Sequence, residues 1–219
     1  FESQLSTHGQ PLSAAGGDFA RTVAGLGGDP ENPFVIFPQV KELYEKRRLA
    51  LQAIVADKRR REREWARMNP VLAGKKARWF GRELPEINWS AIEQKPVNAT
   101  RASSAAVLSV LAQQVDNMIV ASADLSNSDK TDGFLKQTKP LRKGDFSGAF
   151  LQMGVAEFTM SAVCIGIALH GGVVPACGTF FAFSDYMKPA IRVAALMGTP
   201  AIFIWTHDAF RVGEDGPTH

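Results

Sequence analysis

Residues 150–186 read FLQMGVAEFTMSAVCIGIALHGGVVPACGTFFAFSDY, and the distribution of charge along them decides how the chain is read. A short apolar run, 150–155, leads into Glu157, and no Asp, Glu, Lys or Arg follows until Asp185. An isolated glutamate at the mouth of an apolar segment is costly to keep ionised, so its pKa is expected to rise and it can donate a proton near neutral pH. Downstream, Phe180, Phe181, Phe183 and Tyr186 offer flat apolar faces close to an expected turn at Gly178. Acid plus aromatic wall points to a pocket for a heteroaromatic ring. Plainer roles compete residue by residue: an acidic group in the first turn of a helix suits the macrodipole, and aromatics at helical spacing pack cores.

Working outward, the stretch itself divides into a strand near 150–153, a helix from 157 to about 169 and a strand over 173–177. A helix over about 183–197 and a strand over 201–205 follow it. Before it, a helix is expected from 99 to about 115, then a buried strand over 118–123 ending in Asp124, then a polar loop over 126–144. Strands that alternate with helices of this length build βαβ units, so the fold class is α/β with a parallel sheet. Ligands of open parallel sheets bind off the carboxyl ends of the strands. Asp124, Glu157, residues 178–183 and residues 206–208 all follow strands and should crowd one edge.

The first part of the chain has a different texture. Residues 1–37 are loop-rich, with a turn over 6–11, a Gly/Pro cluster over 27–33, and between them a short helix capped by Ser13 and running to about 26. From Pro38 a long helix is expected, with apolar positions at Val40, Leu43, Tyr44, Leu51, Ile54 and Val55, ending near 68 at Asn69-Pro70. Residues 71–96 carry Trp79, Phe80 and Trp89 among Gly81, Pro85 and Pro96, the texture of a segment that wraps a surface between domains. The expected organisation is a tail over 1–37, a helical and extended linker over 38–97, and an α/β domain over 98–219.

Composition narrows the functional class. The chain has 219 residues, 45% hydrophobic and 21% charged, as in soluble globular proteins. Its formal charge of +3 is local: Arg47, Arg48, Lys58, Arg59, Arg60, Arg61 and Arg63 alternate with Glu42, Glu45, Glu62 and Glu64. That mixture makes a solvated helix laced with ion pairs, not a nucleic-acid stripe. The uncharged run after Glu157 is long enough to raise the question of a membrane span, but His170, Gly171, Gly172 and Pro175 would break it. With Phe1 first and no charged or apolar leader behind it, no targeting signal is expected. Cys164 and Cys177 lie in apolar surroundings, which suits buried reduced thiols of a cytoplasmic protein, and no Cys/His spacing marks a metal site.

At the C-terminus, Trp205-Thr206-His207-Asp208 followed by Gly213-Glu214-Asp215-Gly216-Pro217-Thr218-His219 resembles the transketolase signature. Ser122-Ala123-Asp124-Leu125, Gly154-Val155-Ala156-Glu157, Gly178-Thr179-Phe180 and the early Thr7-His8-Gly9-Gln10-Pro11-Leu12 fall in that family's order. The resemblance covers the whole chain. It implies the tail of a diphosphate-binding domain, the interdomain linker and the first part of a pyrimidine-binding domain. It also implies thiamine diphosphate as cofactor, with a two-carbon ketol unit moving from a ketose phosphate to an aldose phosphate, as in the pentose phosphate pathway and the Calvin cycle. The resemblance gives Glu157 a hydrogen bond to the aminopyrimidine ring, Phe180, Phe183 and Tyr186 the ring pocket, and Asp124 a place on the thiazolium side. It makes Asp215 a reader of a substrate hydroxyl, and His219 and His8 imidazoles that handle hydroxyl protons. Arg101, Ser128 and His207 correspond to a clamp for the sugar phosphate, where a planar guanidinium and neutral donors meet a dianion. His170 matches no role and reads as a helix C-terminal residue.

The chain departs from the family in two respects. Ala156 and Phe158 flank the glutamate where the family often has Arg and His, which should make the site drier. No Gly-Asp-Gly followed by Asn is present to hold Mg2+ and the diphosphate, so metal ligands are expected in a missing N-terminal part of a longer, homodimeric polypeptide. Two rival readings remain at this point: a 1-deoxyxylulose 5-phosphate synthase-like enzyme, which shares a Gly-x-Ala-Glu element, and a non-catalytic half-subunit that shares a cofactor site with a partner chain.

Overall fold

The computed structural model describes residues 8–208, 216, 218 and 219. The chain divides into two compact units, Phe1–Met68 and Asn69–His219.

In the first unit a 3-10 turn, Leu12–Ala15, precedes helix α1 (Phe19–Gly25) and the long helix α2 (Pro38–Met68). The expected start of α1 at Ser13 is wrong. Gly16 stands at φ 74°, which interrupts the helix, and Asp18 caps it by accepting the Arg21 N–H on Oδ1 at 2.8 Å. Along α2 the alternating charges pair within the helix, Arg60 with Asp57 at 2.7 Å and with Glu64 at 2.9 Å. These exposed pairs hold the carboxylate of Asp57 below its usual range, chiefly through the hydrogen bond from Arg60.

The second unit begins with helix α3 (Pro70–Phe80), which the sequence conceals. Asn69-Pro70 ends one helix and opens the next, because proline at the first helical position loses no hydrogen bond. Next come α4 (Thr100–Gln114), β1 (Met118–Ser122) and the one-turn helices α5 (Ser126–Asp129) and α6 (Asp132–Leu135). The remaining elements are β2 (Phe150–Gln152), α7 (Glu157–His170), β3 (Val174–Phe180), α8 (Ser184–Leu196) and β4 (Ile202–Thr206). The strands form one parallel sheet in the order β2-β1-β3-β4, with Ser122 opposite both Gln152 and Gly178, and Phe180 opposite Thr206.

Helices cover both faces of this sheet, as parallel pairing requires. Leu108, Val120, Phe134, Phe150 and Ala176 pack together on the side of α4 and α6. Ala121, Met160, Cys164, Cys177 and Met187 pack on the side of α7 and α8. Both thiols are free and fully buried, and hydrogen bonding with Cys164 together with burial pushes the Cys177 thiol up. The strand expected to stop at 177 continues to Phe180, so Gly178 is a mid-strand residue and not a turn. Phe80, an anticipated anchor, lays its ring on the turn between α7 and β3, where a Cβ on Gly172 would come within 2.8 Å of Phe80 Cε2. No helix of the described residues is long and apolar enough to cross a membrane.

Candidate active site

The chain passes from β1 outward to β2, then crosses back to place β3 on the other side of β1. The crevice between the carboxyl ends of β1 and β3 is therefore the topological switch point, where open α/β sheets hold ligands. The segment after β1, residues 123–131, and the 3-10 turn after β3, Phe181–Phe183, border it. Asp124 follows β1 at φ 67° and His207 follows β4 at φ 57°, left-handed conformations that Asp and His tolerate better than most residues. The connecting helices run back against the strands, so the first turns of α4 and α7, with Arg101 and Glu157, lie at this same edge.

His207 is the hub of a contact chain. The guanidinium of Arg101 donates to its Nε2, and its Nδ1 lies 2.9 Å from the hydroxyl of Thr206. Arginine has donors only, so Nε2 is the unprotonated nitrogen and Nδ1–H donates to Thr206 Oγ1. The Phe180 ring lies against the imidazole with centroids 3.7 Å apart and stacks on Phe183 at 5.8 Å. Phe183 stacks in turn on Tyr186 at 6.2 Å. His219 sits 5.7 Å from Phe180 and 5.3 Å from Phe183. Six of the anticipated residues, separated by up to 118 positions in sequence (101 to 219), are thus joined by direct contact. They present flat apolar faces at one end and a guanidinium at the other.

Glu157 opens α7 and is 7% exposed, with Ala156 at the N-cap offering no side-chain cap. Its backbone carbonyl accepts the Ser161 hydroxyl at 2.8 Å, but its carboxyl group has no hydrogen bond or ion pair among the described residues. Such a buried carboxyl is available to a hydrogen-bonding ligand nitrogen. Its neighbours Val155 and Phe158 are exposed and apolar. Asp124 is exposed, and Ser128 lies half-buried in α5 with no side-chain partner among the described residues. His8 is exposed in a turn of the first unit. Asp215 lies outside the described residues. His170, as expected, ends α7, where its ring is 5.9 Å from Phe80.

Two further residues at this edge take a role only in the fold. In the sequence Thr206 is one member of a motif, yet its hydroxyl is the partner of the hub imidazole. Asp129 falls within the expected polar loop 126–144, yet it is 1% exposed and accepts hydrogen bonds from Ser122 and Thr131. An aspartate two residues before a threonine is the signal that could have marked it, since Asx turns use that spacing.

Residues 97–219 match the family described as transketolase, pyrimidine binding domain. A transketolase of Halalkalibacterium halodurans is 38% identical over 194 residues, covering 87% of this chain and 28% of that protein. One from Staphylococcus epidermidis is 36% identical over 224 residues, covering 97% of this chain and 32% of that protein. Among solved structures, the transketolase of Pichia stipitis in complex with sedoheptulose-7-phosphate superposes with a TM-score of 0.78 at 31% identity, covering 92% of this chain and 31% of that one. The Leishmania mexicana transketolase gives 0.77 at 29% identity over 92% of this chain and 30% of that one. The chain thus spans about a third of the length of the relatives it matches. With the family match lying over the very strands and turns that build this edge, the chain belongs to the transketolase family.

Proposed function

We propose that this chain supplies the pyrimidine-binding part of an enzyme that transfers a two-carbon ketol unit from a ketose phosphate to an aldose phosphate, with thiamine diphosphate as cofactor. The observation that carries it is the buried carboxyl of Glu157, without a hydrogen bond or ion pair among the described residues, on the same sheet edge as the Phe180–Phe183–Tyr186 ladder. A ring with nitrogen at its rim fits that pair of features. When bound, thiamine diphosphate supplies the carbanion-stabilising centre that no side chain can offer. Phe180, Phe183 and Tyr186 would pack against its pyrimidine. Glu157 would hold a proton at a ring nitrogen of that pyrimidine. Asp124 would lie on the thiazolium side. Mg2+ and the diphosphate would be held by residues beyond this chain.

Toward the sugar, Arg101 and Ser128 would clamp the phosphate, and His207 would belong to the clamp by holding the guanidinium of Arg101. Arg101 uses one donor on His207 and keeps the rest of its fork for the anion. Asp215 reads a hydroxyl, while His219 and His8 hold and move hydroxyl protons near the reacting carbons. The sedoheptulose-7-phosphate complex of the related Pichia stipitis enzyme supports this substrate class. A homodimer in the cytoplasm, working in the pentose phosphate pathway, completes the proposal.

The test is Glu157→Gln in the intact protein, assayed for ketol transfer between sugar phosphates. Loss of the positioned acid is expected to lower the rate by about 10²–10⁴-fold. Undiminished transfer would overturn the assignment.

A further inference from the structure

We propose that Asp129 is a positioning residue for phosphate recognition: its buried carboxylate ties the end of β1 to the segment that carries Ser128 and seats that segment on β3. The proposal rests on reading this edge as a sugar-phosphate site. Asp129 Oδ2 accepts the Ser122 hydroxyl at 2.8 Å, and Oδ1 accepts both the Thr131 N–H at 2.8 Å and the Thr131 hydroxyl at 2.7 Å. Ser122 Oγ in turn accepts the Leu125 N–H at 3.2 Å. The N–H groups of Ser128 and Asp129 both turn back to the Leu125 carbonyl at 2.8 Å. The segment thus leaves the sheet through a left-handed residue, Asp124, and returns through another, Lys130 at φ 67°, with its interior closed on one carboxylate.

No cation offsets that carboxylate among the described residues, and Lys130 instead spends its ammonium on the Asn127 carbonyl at 2.7 Å. Burying a carboxylate with only neutral donors gains little stability over an apolar filler, so what the carboxylate adds is geometry. Gly178 shows where that geometry is anchored. A Cβ there would lie 2.5 Å from Thr131 Cγ2 and 3.2 Å from Asp129 Oδ2, so β3 rests directly on the network. Two residues further along β3, Phe180 lies against His207, which receives Arg101. One carboxylate thereby sets the segment bearing Ser128 in register with β3, whose Phe180 lies against His207 on the other side of the clamp.

The experiment uses the intact protein with Asp129→Ala, Asp129→Asn and Thr131→Val. Two readouts are taken: calorimetric affinity for inorganic phosphate, and KM for a ketose phosphate against that for an unphosphorylated ketose. Asp129→Ala should weaken inorganic phosphate binding and raise KM for the phosphorylated ketose by about tenfold each, the worth of one hydrogen bond to a charged group, with KM for the unphosphorylated ketose held within about twofold. Asp129→Asn keeps an oxygen for both Thr131 donors and should restore most of the affinity. Thr131→Val removes one donor and should fall between, and it carries the test if Asp129→Ala does not fold. Equal losses for both ketoses, unchanged phosphate affinity in Asp129→Ala, or a wild-type protein that binds no phosphate would each overturn the proposal. The phosphate titration needs no turnover, so a wild type that binds phosphate but transfers no ketol unit would sink the functional reading alone.

Discussion

Gly178 is glycine because of what lies beside it and not because of its own backbone. It sits in regular strand geometry, yet Thr131 and Asp129 approach so closely that a methyl group has no room. Gly154 is the opposite case: it stands at φ 66° with nothing within 4 Å of an added Cβ, so conformation alone calls for glycine there. In the intact protein Gly178→Ala should therefore destabilise by overpacking, by about 1–3 kcal/mol, read as a lower urea midpoint at unchanged slope. An unshifted midpoint would mean that segment 123–131 yields easily, contrary to its closed hydrogen bonding. The same contrast explains what the sequence conveyed at this scale. The isolation of Glu157 was legible because residues 158–184 contain no charged side chain that could pair with it. The crowding at Gly178 was not, because it depends on a loop whose turn chemistry was overlooked.

Between elements, the alternation of strands and helices carried the topology, since a parallel pair needs a crossover and α7 and α8 supply two of the three here. Three features escaped for separate reasons. The Pro70 that stops α2 also starts α3, a double role that a terminator rule hides. At four residues each, α5 and α6 are too short to show a period. The end of β3 is Gly-Thr-Phe, which reads as a turn until its partners Ser122 and Ile204 are known. Residue types at the site were legible through the family motifs, but the Arg101–His207 contact spans 106 positions and follows no local spacing. The packing of α6 on α4 is equally invisible in sequence and makes a sharp test. A Cβ on Gly133 would come within 2.4 Å of the Ala105 carbonyl oxygen and 2.8 Å of Ala105 Cα. Backbone cannot swing aside as a side chain can, so Gly133→Ala should force the two helices apart. The expected cost is about 1–3 kcal/mol, with faster amide exchange over residues 126–136. Native-like exchange there would show that the contact has slack.

At the scale of the whole molecule, several large apolar side chains among the described residues stand exposed. In the second unit Val155 is 81% exposed, Phe158 51% and Tyr186 63%, all flanking the proposed cofactor edge, while Ile202 on the outermost strand β4 is 45% exposed. Large apolar patches mark surfaces meant for contact, and an unpaired strand edge offers its backbone to another chain. The chain produced by itself is therefore expected to associate, with a mean mass in sedimentation that rises with concentration and with marked binding of an apolar dye. The two surfaces can be separated by charge. If the face around α7 drives association, Phe158→Lys should return the chain toward monomer and Ile202→Lys should not; if the strand edge drives it, the order reverses. The first pattern is expected, because Phe158 adjoins the buried Glu157, and covering it would also exclude water from that carboxyl group. A chain that stays monomeric at all concentrations and unfolds in one cooperative step would refute the prediction for both surfaces.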